Sequence, residues 1–171
     1  MRRSILLTLL MAIPHVYVQA DEPTGIQFFS GSWQQLLAEA NRQNKPLFVD
    51  VYTTWCPPCR RMVREAFPNA AVGAKFNKHF ISYQLNAEVG EGIELAKRFA
   101  VQSYPTALYL LPTGELVHRS VGYGGVNALL TQADLVLGMA KFRRLNRRKR
   151  VSGGDWHLPG PPKQTDTTQF K

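Results

Sequence analysis

Six consecutive residues, Trp55-Cys56-Pro57-Pro58-Cys59-Arg60, carry the strongest chemical signal in this sequence. Cys56 and Cys59 are its two cysteines, with an apolar run before them and a helical pattern after. At a helix start such a pair can close a small disulfide ring. The first cysteine falls where unpaired amide N–H groups and the helix dipole favour a thiolate. Pro57 suits the first helical position, because it has no N–H to satisfy and its φ is preset. The second cysteine lies one turn inward and is expected to be the more buried. Exchange chemistry follows: Cys56 attacks a substrate disulfide, a mixed disulfide forms, and Cys59 attacks Cys56 to release the product. The cycle can also run backwards and make disulfides. A permanent structural disulfide is a competing reading in an oxidising compartment. A metal site is another, but soft ligands are short: His79, His118 and His157 are scattered, and no second Cys-x-x-Cys exists. No metal is therefore expected. No Ser/His/Asp arrangement is apparent, and Gly122-Tyr123-Gly124-Gly125 lacks the strand–turn–helix context of a dinucleotide site.

The elements that must position this pair alternate between strand and helix. Ser32 is a plausible N-cap for a helix from Trp33 to about Gln43, with Trp33, Leu36, Leu37 and Ala40 at helical spacing. Leu47 to Tyr52 is nearly continuous apolar sequence, the mark of a central strand covered on both faces. A helix is predicted from about Pro57 to Phe67, and another, capped by Asn69, running toward Phe76. Ile81 to Leu85 reads as a strand, Glu91 to Phe99 as a helix, and Ala107 to Leu111 and Leu116 to Val121 as a hairpin around Pro112-Thr113-Gly114. One amphipathic helix is predicted from Asn127 to Phe142. That order implies an α/β sandwich whose last hairpin is antiparallel.

These residues resemble the thioredoxin superfamily from about Trp33 to Leu137. WCPPC stands where thioredoxins carry WCGPC. Asp50, six residues before Cys56, matches the buried acid that shuttles a proton to the resolving thiol. Ser103-Tyr104-Pro105-Thr106 matches the cis-proline loop that packs against the disulfide and pairs with the substrate backbone. The resemblance implies a three-layer sandwich with a central mixed sheet flanked by helices. It also implies a redox-active Cys56–Cys59 disulfide and a substrate surface at Trp55, Tyr104 and Pro105. Trp55 reads either as a lid over the disulfide or as a surface aromatic beside the substrate groove. Arg60 and Arg61 are candidates to support the Cys56 thiolate. The sequence departs from the family in four places. Pro57 replaces the usual glycine, and Gln84 stands where thioredoxins often have a lysine near the buried acid. The segment from Phe67 to His79 looks longer and more broken than in small thioredoxins, and the tail beyond Phe142 has no counterpart in the minimal fold.

Composition bounds the rest. The chain has 171 residues, 44% hydrophobic and 19% charged, enough for one packed domain with length left over. No apolar run reaches the ~18–20 residues of a membrane span. The first twenty residues read as an export signal. Arg2 and Arg3 begin it, Ile5 to Ile13 is apolar apart from Thr8, and Val18-Gln19-Ala20 offers small residues for cleavage after Ala20. The net charge of +9 is not spread evenly. Asp21 to Ala140 is neutral, while Lys141 to Arg150 (KFRRLNRRKR) holds seven basic residues in ten. The expected organisation is a signal peptide over 1–20, a thioredoxin-like domain over 21–143 and a basic, Gly/Pro-rich disordered tail over 144–171. Removing the chain after Lys141 should then leave exchange intact. The tail reads either as a solvated helix end or as a tether to an anionic surface; nucleic acid is not an expected partner.

The resulting expectation is an exported thiol–disulfide oxidoreductase of the bacterial periplasm or extracytoplasmic envelope. It would exchange disulfides with protein substrates, leaning toward a reductant or isomerase role and fed by an upstream thiol reductant. No cofactor is needed, since the Cys56–Cys59 couple holds the electrons. The alternative is a non-catalytic thioredoxin-fold binding module with a structural disulfide, tethered by its basic tail.

Overall fold

The computed structural model describes residues 24–152. The expected signal segment and the tail beyond Ser152 lie outside the described residues. Helix α1 (Trp33–Gln43) begins at a capping box. Ser32 Oγ accepts the Gln35 N–H, and Gln35 Oε1 accepts the Ser32 N–H. Asn44 ends the helix in the left-handed region, which asparagine tolerates. Strand β1 (Leu47–Tyr52) is buried along five of its six residues, as a central strand must be. Helices α2 (Pro57–Glu65) and α3 (Ala70–His79, capped by Asn69) follow, then β2 (Ile81–Asn86), α4 (Glu91–Arg98), β3 (Thr106–Leu110) and β4 (Leu116–Val121).

The strands assemble in the order β2-β1-β3-β4. β2 is parallel to β1, whereas β3 is antiparallel to both β1 and β4, so the sheet is mixed and its last hairpin antiparallel, as expected. Period-2 alternation splits the core in two. Leu47, Val49 and Val51 pack with Trp33, Leu36 and Leu95 from α1 and α4. Phe48 and Tyr109 pack with Met62, Phe76 and Leu129, under α2, α3 and α5 (Val126–Gly138). Gly92 sits so close to the end of β2 that an added Cβ would lie 1.9 Å from the Asn86 carbonyl oxygen, so α4 can dock there only with glycine.

The C-terminal region departs from the expected single helix over Asn127–Phe142. The chain breaks at Met139, whose backbone is extended (φ −66°, ψ 145°), and resumes as α6 (Ala140–Ser152). Gly138 is a poor interior helix residue, and the break lets Phe142 turn into the second core, where it is fully buried. Helical backbone therefore runs through 144–152, which the sequence reading assigned to the tail.

Candidate active site

The site forms where β1 ends and α2 begins. The Cys56 N–H donates to the Thr53 carbonyl (3.4 Å), closing the turn that carries Trp55 outward. Cys56 is the N-cap of α2, and Pro57 occupies the first helical position. Cys56 Sγ accepts the Cys59 N–H at 3.2 Å, satisfying one of the amides that a helix start leaves free. The two cysteines are joined as a disulfide with their Cα atoms 5.3 Å apart.

Burial does not separate the sulfurs as expected. Cys56 is 2% exposed and Cys59 4%. The closed ring folds the Cys56 sulfur back over the first helical turn, so both cysteines are covered in this oxidised form. What distinguishes them is position. Cys56 caps the helix and receives an amide hydrogen bond, and Cys59 is inside it.

Asp50 lies on β1 and is 2% exposed. It alternates with Val49 and Val51, so it shares the face of Phe48, the face that Met62 of α2 covers. Its in-register neighbours are Gln84 on β2 and Ala107 on β3. Gln84 Nε2 donates to Oδ2 at 3.4 Å, while Oδ1 is buried and has no hydrogen-bond partner among the described residues. Burial pushes the Asp50 pKa up to about 7, a rise opposed by the Gln84 hydrogen bond. The Gln84 contact fits the family position at which the sequence reading placed that residue.

The Tyr104–Pro105 peptide is cis, the isomer that the resemblance implies. The Pro105 carbonyl accepts the Gly122 N–H at 2.8 Å. Gly122 has φ +85°, a conformation that favours glycine. Trp55 is 59% exposed, which makes it a surface aromatic and not a lid. Its ring meets Tyr104 edge-on with centroids 6.1 Å apart, and its indole N–H donates to Glu88 Oε1 at 2.9 Å. The Trp55–Tyr104 contact brings the Cys-x-x-Cys turn and the Pro105 loop together. Val89, next to Glu88, and Val121, next to Gly122, are both exposed.

The arginines take other partners. Arg60 Nη1 donates to the Thr54 carbonyl at 3.1 Å. Arg61 pairs with Glu65 at 3.3 Å and lies 5.7 Å from the Tyr123 ring centroid. The first of these secures the turn; neither contact is with a cysteine. Glu88 and Gly122 were missed by the sequence reading. Glu88 is a surface acid without any periodic signal. Gly122 belongs to the Gly-Tyr-Gly-Gly run considered there only as a nucleotide loop.

The site can hold two electrons as a dithiol or release them as a disulfide, with a neutral-range acid buried under the helix that carries the cysteines. Comparisons with known proteins agree with this geometry. The Thioredoxin-like domain family matches residues 33–135. Thioredoxin H4 of Arabidopsis thaliana is 34% identical over 90 residues, covering 53% of this chain and 71% of that protein. The thiol:disulfide interchange protein DsbD of Pseudoalteromonas atlantica is 28% identical over 108 residues, covering 61% of this chain and 18% of that protein. A candidate disulphide-isomerase from Bacteroides thetaiotaomicron superposes with a TM-score of 0.62 at 38% identity, covering 68% of this chain and 97% of that one. By family match, fold and cysteine pair together, this chain belongs to the thioredoxin-like family and is a thiol–disulfide oxidoreductase.

Proposed function

We propose that this protein is exported and acts on protein disulfides in the bacterial envelope as a reductant or isomerase, drawing electrons from an upstream thiol reductant. The observation that carries the reading is Cys56 at the N-cap of α2, on the sheet face beneath which Asp50 is buried. Helix-start amides stabilise the Cys56 thiolate, which attacks a client sulfur and displaces the other as a thiolate. Asp50, with a pKa of about 7, then takes the Cys59 proton, and the freed Cys59 thiolate attacks Cys56. The client leaves reduced, and the protein carries the Cys56–Cys59 disulfide. Trp55, Tyr104 and Pro105 form the client surface.

Similarity to a segment of a thiol:disulfide interchange protein supports exchange with thiols and disulfides, and similarity to a candidate disulphide-isomerase supports an isomerising role. The charged start, apolar run and small residues of 1–20 support export. The basic residues from Lys141 onward supply a tether to an anionic surface. Insulin reduction with dithiothreitol, comparing wild type with Cys56→Ser, tests the exchange. Precipitation should be accelerated by wild type and not by the variant; equal rates would leave only a binding module.

A further inference from the structure

A cavity of about 310 Å³ opens beside the cis-proline, with Pro105 and Gly122 in its lining. Its floor is the sheet, through Ala107 and Ser120, which pair across β3 and β4. Met62 and Leu129 make its apolar walls, from α2 and α5. Met62 is one turn beyond Cys59, and Pro105 adjoins the Tyr104 ring that meets Trp55. The cavity is therefore continuous with the reacting end of the molecule.

Its polar groups are neutral. Gln132 lines it with an amide whose orientation is set, since Oε1 accepts the Tyr109 hydroxyl at 2.8 Å and the amino end remains for another partner. The Tyr123 hydroxyl is buried and, among the described residues, has no well-formed hydrogen bond, although the Glu65 carboxylate lies close to it. Burial, then the charge of Glu65 and a hydrogen bond toward it, raise its pKa, so it keeps its proton and can donate. Ser120 adds a second hydroxyl. None of the lining residues is charged, and Glu65 and Arg61, which border Tyr123, are paired with each other at 3.3 Å. An entering ammonium or carboxylate would therefore lose water without gaining an unpaired counter-charge. A neutral side chain with an apolar stem and a hydrogen-bonding end would find both walls and partners.

We infer that this cavity is a client-specificity subsite, taking an uncharged, polar-ended side chain such as glutamine or tyrosine from the residues flanking the client cysteine, with Gln132 and Tyr123 as its selecting groups. The inference rests on the exchange reading, because the client must lie across Pro105 for a neighbouring side chain to enter.

The test uses reduced full-length protein and synthetic peptides, acetyl-Ala-Xaa-Xaa-Cys-Xaa-Xaa-Ala-amide, each carrying nitrothiobenzoate on its cysteine as a mixed disulfide. Cys56 attacks the peptide sulfur and nitrothiobenzoate leaves with the bonding pair. Cys59 then displaces the peptide thiol, so the protein loses two electrons and two protons as the peptide disulfide is reduced. With Xaa as glutamine or tyrosine, release should be about fivefold faster than with alanine, the worth of one net hydrogen bond. Glutamate and lysine peptides should show no such gain. In Gln132→Ala, and in Ala128→Phe, which places a ring at the helix surface bordering the cavity, the preference should fall below about twofold, less than half a hydrogen bond's worth. Equal wild-type rates across all peptides, or a preference that persists in both variants, would overturn the subsite alone. Failure to release nitrothiobenzoate from any peptide would overturn the exchange reading and the subsite with it.

Discussion

Gln84 stands in register with Asp50 across the β1–β2 ladder and donates its side-chain amide to the buried carboxylate at 3.4 Å. The contact supplies a neutral donor to an acid whose other oxygen has no partner among the described residues. It stabilises the ionised form less than a cation would, and burial dominates the balance.

The first consequence is a pH-dependent stability. An unfolded aspartate titrates near ~3.9, and Asp50 in the fold near 7. The native state thus holds the proton more tightly than the unfolded state. Its stabilising contribution is complete below about pH 4 and is lost as the pH rises to about 7. The Tm of the oxidised protein should fall over that window. Asp50→Asn should show a shallower fall and a higher Tm at about pH 8. Parallel melting profiles for the two proteins would refute the assignment.

Loss of the Asp50 carboxylate should slow one step and spare another. In Asp50→Asn, resolution of the mixed disulfide by Cys59 should drop about 100-fold, the lower end of general-base effects. Attack by Cys56 should change little. Single-turnover kinetics with a chromogenic mixed disulfide separate the two phases; equal slowing of both would remove Asp50 from the resolving step.

Substituting Gln84 should move the pH profile of that same step in opposite directions. Gln84→Leu removes the hydrogen bond that lowers the Asp50 pKa, so the profile should shift to higher pH. Gln84→Lys brings a cation to the same register position and should shift it to lower pH. Rate profiles for the two variants that superpose would show that the contact does not reach the chemistry.

Cys56, when reduced, occupies the N-cap position and can accept the Cys59 N–H as a thiolate. It should alkylate with iodoacetamide well below the free-thiol midpoint of about 8.5. A midpoint at or above that value in Cys59→Ser, which leaves Cys56 as the lone thiol, would contradict helix-start activation.

Truncation separates the domain from its basic extension at a different place than the sequence implies. Phe142 is fully buried in the second core, so cutting after Lys141 removes a core side chain. Phe142→Ala should cost about 3–5 kcal/mol, measured by urea unfolding. Truncation after Ser152 should keep the wild-type midpoint. Unchanged stability on cutting after Lys141 would show that α6 contributes nothing to the fold.

Much of the architecture was legible because its signals are local. The Ser32 cap and the stripe of Trp33, Leu36 and Ala40 place α1, and Pro112-Thr113-Gly114 places the turn before β4. The break at Met139 was not legible. The apolar pattern from Asn127 to Phe142 is compatible with one helix, and only the vacancy that Phe142 fills in the second core, on the same face of the sheet as α5, favours two. At the site, Cys56, Cys59, Asp50 and Pro105 announced themselves by type and spacing. The partnership of Trp55 with Glu88 did not, since it joins surface residues 33 positions apart.

The sequence by itself determined the reacting atoms, their separation and the strand-then-helix setting that brings a cysteine to a helix start, all properties of neighbouring residues and backbone preferences. Tertiary structure alone decided that both cysteines are covered in the disulfide, that Gln84 meets Asp50, and that β3, β4, α2 and α5 leave a neutral cavity beside Pro105. Those outcomes depend on which surfaces pack against one another and exclude water, and solvation at a point is set by every segment that converges there.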